Sequence, residues 1–222
     1  MRRMLKTRGF LLWLSLAFTI TACAANPSIT EAEKKQIVEN VKSVVQNEFD
    51  LYYFKKTYAQ YDEALNGIVG EEYLAALSDD IVFGYNDNAY TREDLANMTA
   101  EEYAQHKDFM LRLIRSMGLD KVRAIVKISD VYEGSRHGQI HVYAMESKEL
   151  HDRPMTTTTL KYALEKRDGK WLVTGVERDK LSHGPDASAE DIEAGIEALQ
   201  FQQHEGEAVR YATVIELSGA EE

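Results

Sequence analysis

A few side chains in this sequence are placed where acid–base or binding chemistry is possible. Glu48 stands seven residues after Val41, three after Val45 and four before Tyr52. On a helix those separations share one face, so its carboxyl points where an apolar stripe points. Two readings follow. Desolvated in a pocket beside Tyr52, the carboxyl can serve as a general base. At the border of the stripe it meets water and does no chemistry. His141 and Tyr143 alternate with Ile140, Val142 and Ala144, so on a strand they share a face with Met145. That face either lines a pocket, with the imidazole as proton carrier, or forms the outer side of a half-buried sheet. Trp171 is a large apolar body suited to a core or a pocket wall. His137 and His141 are close enough in sequence to suggest a metal pair, but no third ligand is spaced to join them. No metal and no cofactor is expected. Nucleophile elbows, phosphate-binding glycine loops and paired-cysteine metal sites are absent from the sequence.

The elements that must position these groups can be read from periodicity. Thr30 with Glu33, Thr91 with Asp94, and Thr99 with Glu102 have capping-box spacing and open helices. Ile37, Val41, Val44, Val45, Phe49 and Tyr52 give the first helix its stripe. Past Leu51 the stripe rotates to Phe54, Tyr58, Tyr61 and Leu65, which predicts a bend near Asp50 or a second covering surface, with Asn66-Gly67 as the stop. A short helix over 71–77 and a short strand over 80–85 follow, with a turn at Asn86, Asp87 and Asn88. Alternation predicts strands at 122–129 and 140–145, and a third over 156–166. A longer loop around Pro154 is expected at 147–155. Asp168-Gly169 is a tight hairpin signal leading into a strand over 171–176. A polar helix is expected over 189–203, and one further strand is possible over 209–217. Helices packed beside an antiparallel sheet define an α+β fold.

The N-terminus carries Arg2, Arg3, Lys6 and Arg8, then an uncharged run over 10–20, then Ile20-Thr21-Ala22-Cys23. A positive head followed by an apolar core reads as an export signal, and the run is shorter than the roughly 20 residues a membrane span needs. The four residues ending in Cys23 resemble the bacterial lipobox. That resemblance implies cleavage before Cys23 and attachment of lipid to its thiol. Cys23 is the single cysteine of the chain, so no disulfide is expected and acylation would consume it. Ala24 resembles the outer-membrane sorting pattern of Gram-negative lipoproteins. Without the leader's four positive charges the net charge moves from −11 to about −15. Nucleic acid is a poor partner for such a chain, and membrane attachment would rest on the acyl chains. Residues 183–222 are especially acidic, with Arg210 their one basic side chain.

The order of elements carries a second resemblance. A long helix precedes Tyr73-Leu-Ala-Ala-Leu-Ser-Asp-Asp-Ile-Val-Phe83, then comes a further helix, then antiparallel strands ending in Leu164-Glu-Lys-Arg-Asp-Gly-Lys-Trp-Leu-Val-Thr174. This looks like the nuclear transport factor 2-like superfamily, which includes the ketosteroid isomerase and SnoaL types. It implies a cone, in which a curved antiparallel sheet wraps the long N-terminal helix and encloses a pocket. The expected partition is a signal peptide at 1–22, a tether at 23–30, the cone at 31–182 and an acidic extension at 183–222, dispensable for folding. Glu48, Tyr52, His141, Tyr143 and Trp171 are the pocket candidates, Trp171 at the cone's wide end. The family hosts enzymes and binders alike, and its acid–base set finds no matching motif positions here. The expectation is therefore a lipid-anchored envelope protein, in the periplasm-facing outer membrane of a Gram-negative cell, binding a small apolar ligand or a protein partner without catalysis. The alternative is a small pocket enzyme of isomerase, dehydratase or hydrolase type.

Overall fold

A computed structural model describes residues 29–83, 89–134 and 138–219. The expected signal peptide, Cys23, the turn at Asn86 to Asn88, and His137 lie outside the described residues. Helix α1 (Glu31–Tyr52) opens on the Thr30–Glu33 capping box. It buries Ile37, Val41, Val44, Val45 and Phe49, the apolar stripe of the sequence. The predicted bend is a full break. Phe54 turns into the left-handed region at φ 58°, and the amides of Lys55 and Lys56 both donate to the Asp50 carbonyl, at 2.8 and 3.3 Å. A separate helix, α2 (Tyr58–Leu65), then starts on its own Thr57–Gln60 capping box. The rotation of the stripe after Leu51 marks a chain reversal that buries Phe54.

Three short pieces follow: α3 (Glu71–Ala76), β1 (Ile81–Phe83) paired with β2 (Tyr90–Thr91), and α4 (Arg92–Asn97). Helix α5 (Ala100–Ser116) runs from Thr99 to Gly118, whose φ of 71° ends it. Four long strands come next: β3 (Arg123–Glu133), β4 (Gln139–Leu150), β5 (Arg153–Arg167) and β6 (Lys170–Ser182). The expected loop over 147–155 is instead a two-residue hairpin. His151 and Asp152 take φ of 52° and 60°, the left-handed pair a tight turn needs. Pro154 sits inside β5, opposite Glu149, where the register shifts. A shift of this kind is a place where a strand accommodates proline. Asp168 and Gly169 repeat the left-handed pair at φ 50° and 80°.

After β6 come α6 (Ala189–Glu197), shorter than the expected helix, a small hairpin β7 (Gln203–His204) with β8 (Glu207–Ala208), and β9 (Tyr211–Ser218). Strand β9 pairs with β3, completing an antiparallel sheet of order β6-β5-β4-β3-β9. Leu217 joins the main core. Residues 183–222 therefore supply part of the sheet, an argument against the expectation that they are dispensable for folding. Helix α1 packs on one face, against β3 and β6. Register shifts in β3, β4 and β5 bend the strands, since an extra residue on one side of a ladder forces curvature. The architecture is α+β.

Candidate functional site

Four elements converge on the carboxylate of Glu48. The reversal after α1 brings α2 back alongside it, and the Tyr61 hydroxyl donates to Glu48 Oε1 at 2.6 Å. Helix α3 is pinned to β6 by the Gly70 amide, which donates to the Val173 carbonyl at 2.9 Å. From there Tyr73 donates to the same Oε1 at 3.1 Å. Arg92, the first residue of α4, holds its backbone by donating to the Asp80 carbonyl. Its Nη2 pairs with Glu48 Oε2, and its Nη1 donates to the Tyr61 hydroxyl at 2.8 Å. The guanidinium also lies over the rings of Tyr52 and Tyr61, 5.6 and 5.2 Å from their centres. Arg92 is 2% exposed against 17% for Glu48, so the pair is shielded from water mainly on the arginine side. Arg92 Nε has no hydrogen-bond partner among the described residues.

Burial first, and the Glu48 charge second, hold the Tyr61 and Tyr73 hydroxyls well above the usual phenol range. Both therefore stay neutral donors. Three donors thus occupy the carboxylate, two phenols on Oε1 and the guanidinium on Oε2. The arrangement is suited to fixing positions: Glu48 ties α1, α2, α3 and α4 together through charge-assisted bonds.

Beside this network lies a cavity of about 400 Å³ between α1 and the inner face of the sheet. Phe49 and Tyr52 of α1 face Leu160, Tyr162 and Val176 across it. Its charged walls are Glu146 with Lys148, 3.1 Å apart, and Arg178, which bonds Asp80 at 2.9 Å. Lys180 also lines it and forms no ion pair among the described residues. A second cavity of about 370 Å³ shares Tyr52, Ile81, Lys148 and Lys180 with the first, and continues beneath Met110 and Ile114 of α5.

The structure places two of the predicted pocket residues, Glu48 and Tyr52, on the cavity wall. Glu48 is neither an unpaired buried base nor a water-facing edge residue; it is ion-paired. His141 and Tyr143 lie on the opposite face of the sheet. They are 6% and 3% exposed, because the chain after β6 covers them: Tyr143 bonds His204 Nδ1 at 2.9 Å. Burial, then the nearby Lys161 and His204, push the His141 imidazole down to about 4. Trp171 belongs elsewhere too. Its Nε1 donates to Glu33 at 3.4 Å and its carbonyl accepts from Asn40. Glu33 lies about 22 Å along α1 from Glu48, at 1.5 Å per residue.

Arg92, Tyr61, Tyr73, Lys148, Arg178 and Lys180 escaped the sequence reading. One local signal pointed to Arg92: a cation at the first position of a helix runs against the helix dipole, which favours acids there. Another lay in β6, where Arg178 and Lys180 continue the inward-facing parity of Val176. No group of three His, Cys, Asp or Glu side chains able to hold a metal ion occurs among the described residues. No protein family, curated protein or solved structure matches the chain.

Proposed function

We propose that this chain is a lipid-anchored cell-envelope protein whose inner-sheet cavity binds a small, largely apolar ligand without transforming it. The observation that carries this reading is the pairing of a closed polar network with an open cavity. Glu48, the carboxyl placed to act as a base, is committed to two phenols and a guanidinium. The space beside it has the size of a small-molecule site, in the range of about 300–1,000 Å³. A long helix lying under a bent antiparallel sheet, with the cavity between them, supports the reading of the fold as a nuclear transport factor 2-like cone. The Ile20-Thr21-Ala22-Cys23 run supports Cys23 as the lipid attachment site, and Ala24 the outer membrane as destination. In the described residues no helix is long and apolar enough to cross a membrane.

Mass spectrometry of small molecules extracted from the purified, folded protein tests the binding reading. A compound is expected in the wild type and absent from Leu160→Trp, which fills the cavity. Equal recovery from both, or none from either, defeats the reading. Labelling with a clickable fatty acid tests the anchor, and should be lost in Cys23→Ala.

A further inference from the structure

We infer that the ligand is a single-chain amphiphile with one negative charge, of the long-chain carboxylate class. Its head lies at Lys148 and Lys180 and its chain beneath α5; this rests on the binding reading above. Three observations point the same way. The second cavity is walled by Tyr53, Phe54, Met110, Ile114, Leu119 and Met155, a surface with little to offer a polar group. Helix α5 spans 17 residues, yet none of them is buried. A helix with an apolar side normally seals that side against a core. Here Met110 and Ile114 touch the core on one side and wall the second cavity on the other, and Ile81, which lines both cavities, is 59% exposed at their junction. An alkyl chain lying between α5 and the sheet would supply the missing contacts.

The head is set by charge. Lys148 and Lys180 line both cavities and so mark where they meet. Lys148 is balanced by Glu146, Arg178 by Asp80, and Glu48 by Arg92. Lys180 remains without a counterion among the described residues, leaving the junction with one excess positive charge. The chain as a whole carries −11, but charges beyond about 8–10 Å are screened at physiological salt, so the local lysines decide. Lys180 is exposed, so its charge is not desolvated; a neutral head would leave it without a counterion at the cavity mouth, and a dianion would bring one charge too many.

Calorimetric titration of the full chain with dodecanoate, 1-dodecanol and dodecyl phosphate tests this. Dodecanoate should bind at least tenfold tighter than either of the others. Lys180→Glu should weaken dodecanoate at least tenfold while moving dodecanol less than twofold. Ile114→Glu, on the wall of the second cavity and half-buried against the core, should lower the melt yet keep it cooperative, and lose all three ligands. Equal affinity for dodecanoate and dodecanol, tighter binding of dodecyl phosphate, or indifference to Lys180→Glu overturns the inference. If no amphiphile binds while the wild type still yields a compound that Leu160→Trp lacks, this inference falls and the binding reading stands.

Discussion

The five-stranded sheet is covered on both faces, and the coverings differ in kind. On the outer face the chain after β6 lies close over His141, Tyr143, Thr157 and Thr159, all of them buried. Its polar contacts are single hydrogen bonds without ion pairs among the described residues: Thr157 with His183 at 2.9 Å, Tyr143 with His204, and the Gln200 amide donating to Asp179 at 3.0 Å. Gly195 lets α6 approach Leu181, where a Cβ would come within 2.6 Å of a leucine methyl. On the inner face the helices hold a buried ion pair and leave two connected cavities. The centre of a sheet face, at His141, Tyr143, Thr157 and Thr159, can thus be covered largely through hydrogen-bonding side chains. The open space on the other face is a property of how α1 and α5 are held, not a shortage of side chains to fill it.

The contrast can be broken most severely by removing the outer layer. Truncation after Ser182 takes away β9, strips the cover from His141 and Tyr143, and exposes the paired edge of β3. Cooperative unfolding should be lost altogether, because the removed interactions rival the whole stability of a domain, roughly 5–15 kcal/mol. A sharp thermal transition by circular dichroism in the truncated chain would show the outer layer to be ornamental.

The inner face should yield next. Arg92→Met leaves the Glu48 carboxylate partly buried without its cation, and should cost about 3–5 kcal/mol in urea denaturation. The double substitution Glu48→Met with Arg92→Met should recover most of that loss, since an apolar pair of similar volume often replaces a buried ion pair without cost. Additive losses would mean that the two residues act separately.

A smaller effect distinguishes the outer face by pH. Above about 6.5, the usual histidine value, the His141 imidazole is neutral whether the chain is folded or not. Between 6.5 and 4 the unfolded chain takes up a proton that the folded chain resists. Stability contributed by the neutral buried ring is therefore complete above 6.5, declines as the pH falls toward 4, and levels off below it. The decline should amount to roughly 3 kcal/mol, at about 1.36 kcal/mol for each pH unit between 6.5 and 4. His141→Phe should flatten that part of the pH–stability curve; an unchanged slope assigns it to other groups. The smallest change is expected for Tyr143→Phe, which removes one hydrogen bond to His204 and should cost about 1 kcal/mol. A comparable loss on the cavity side, from Tyr73→Phe, would erase the distinction between the two faces at the level of single hydrogen bonds.

What was legible in the sequence is what is decided locally. The capping boxes at Thr30, Thr91 and Thr99 lie within three residues, and all three form. So does the Asp168-Gly169 turn, where the residue types demand positive φ. The Thr57–Gln60 box has the same local chemistry but was hidden by the apolar run through Tyr58, Tyr61 and Leu65, which reads as one helix continuing. Pro154 suggested a loop because proline usually breaks strands, and His151-Asp152 is not a pair that announces a tight turn. The Glu48 network was illegible for a different reason. Arg92 is 44 residues away, and nothing in either local stretch names the other. His141 and Tyr143 could be given a shared face but not a side, because that depends on where the chain after Ser182 returns.

The pairing of β9 with β3 also bears on the order of events during synthesis. Tyr132 and Arg210 meet across 78 residues, so β3 waits for a partner made long after it. A chain emerging from its N-terminus can form the meander from β3 to β6 while the far edge of β3 still shows unpaired amides and carbonyls, a template for pairing with another chain. Contacts so distant in sequence close slowly. The sheet therefore cannot be completed until Tyr211–Ser218 has been made, and until then β3 keeps one edge open.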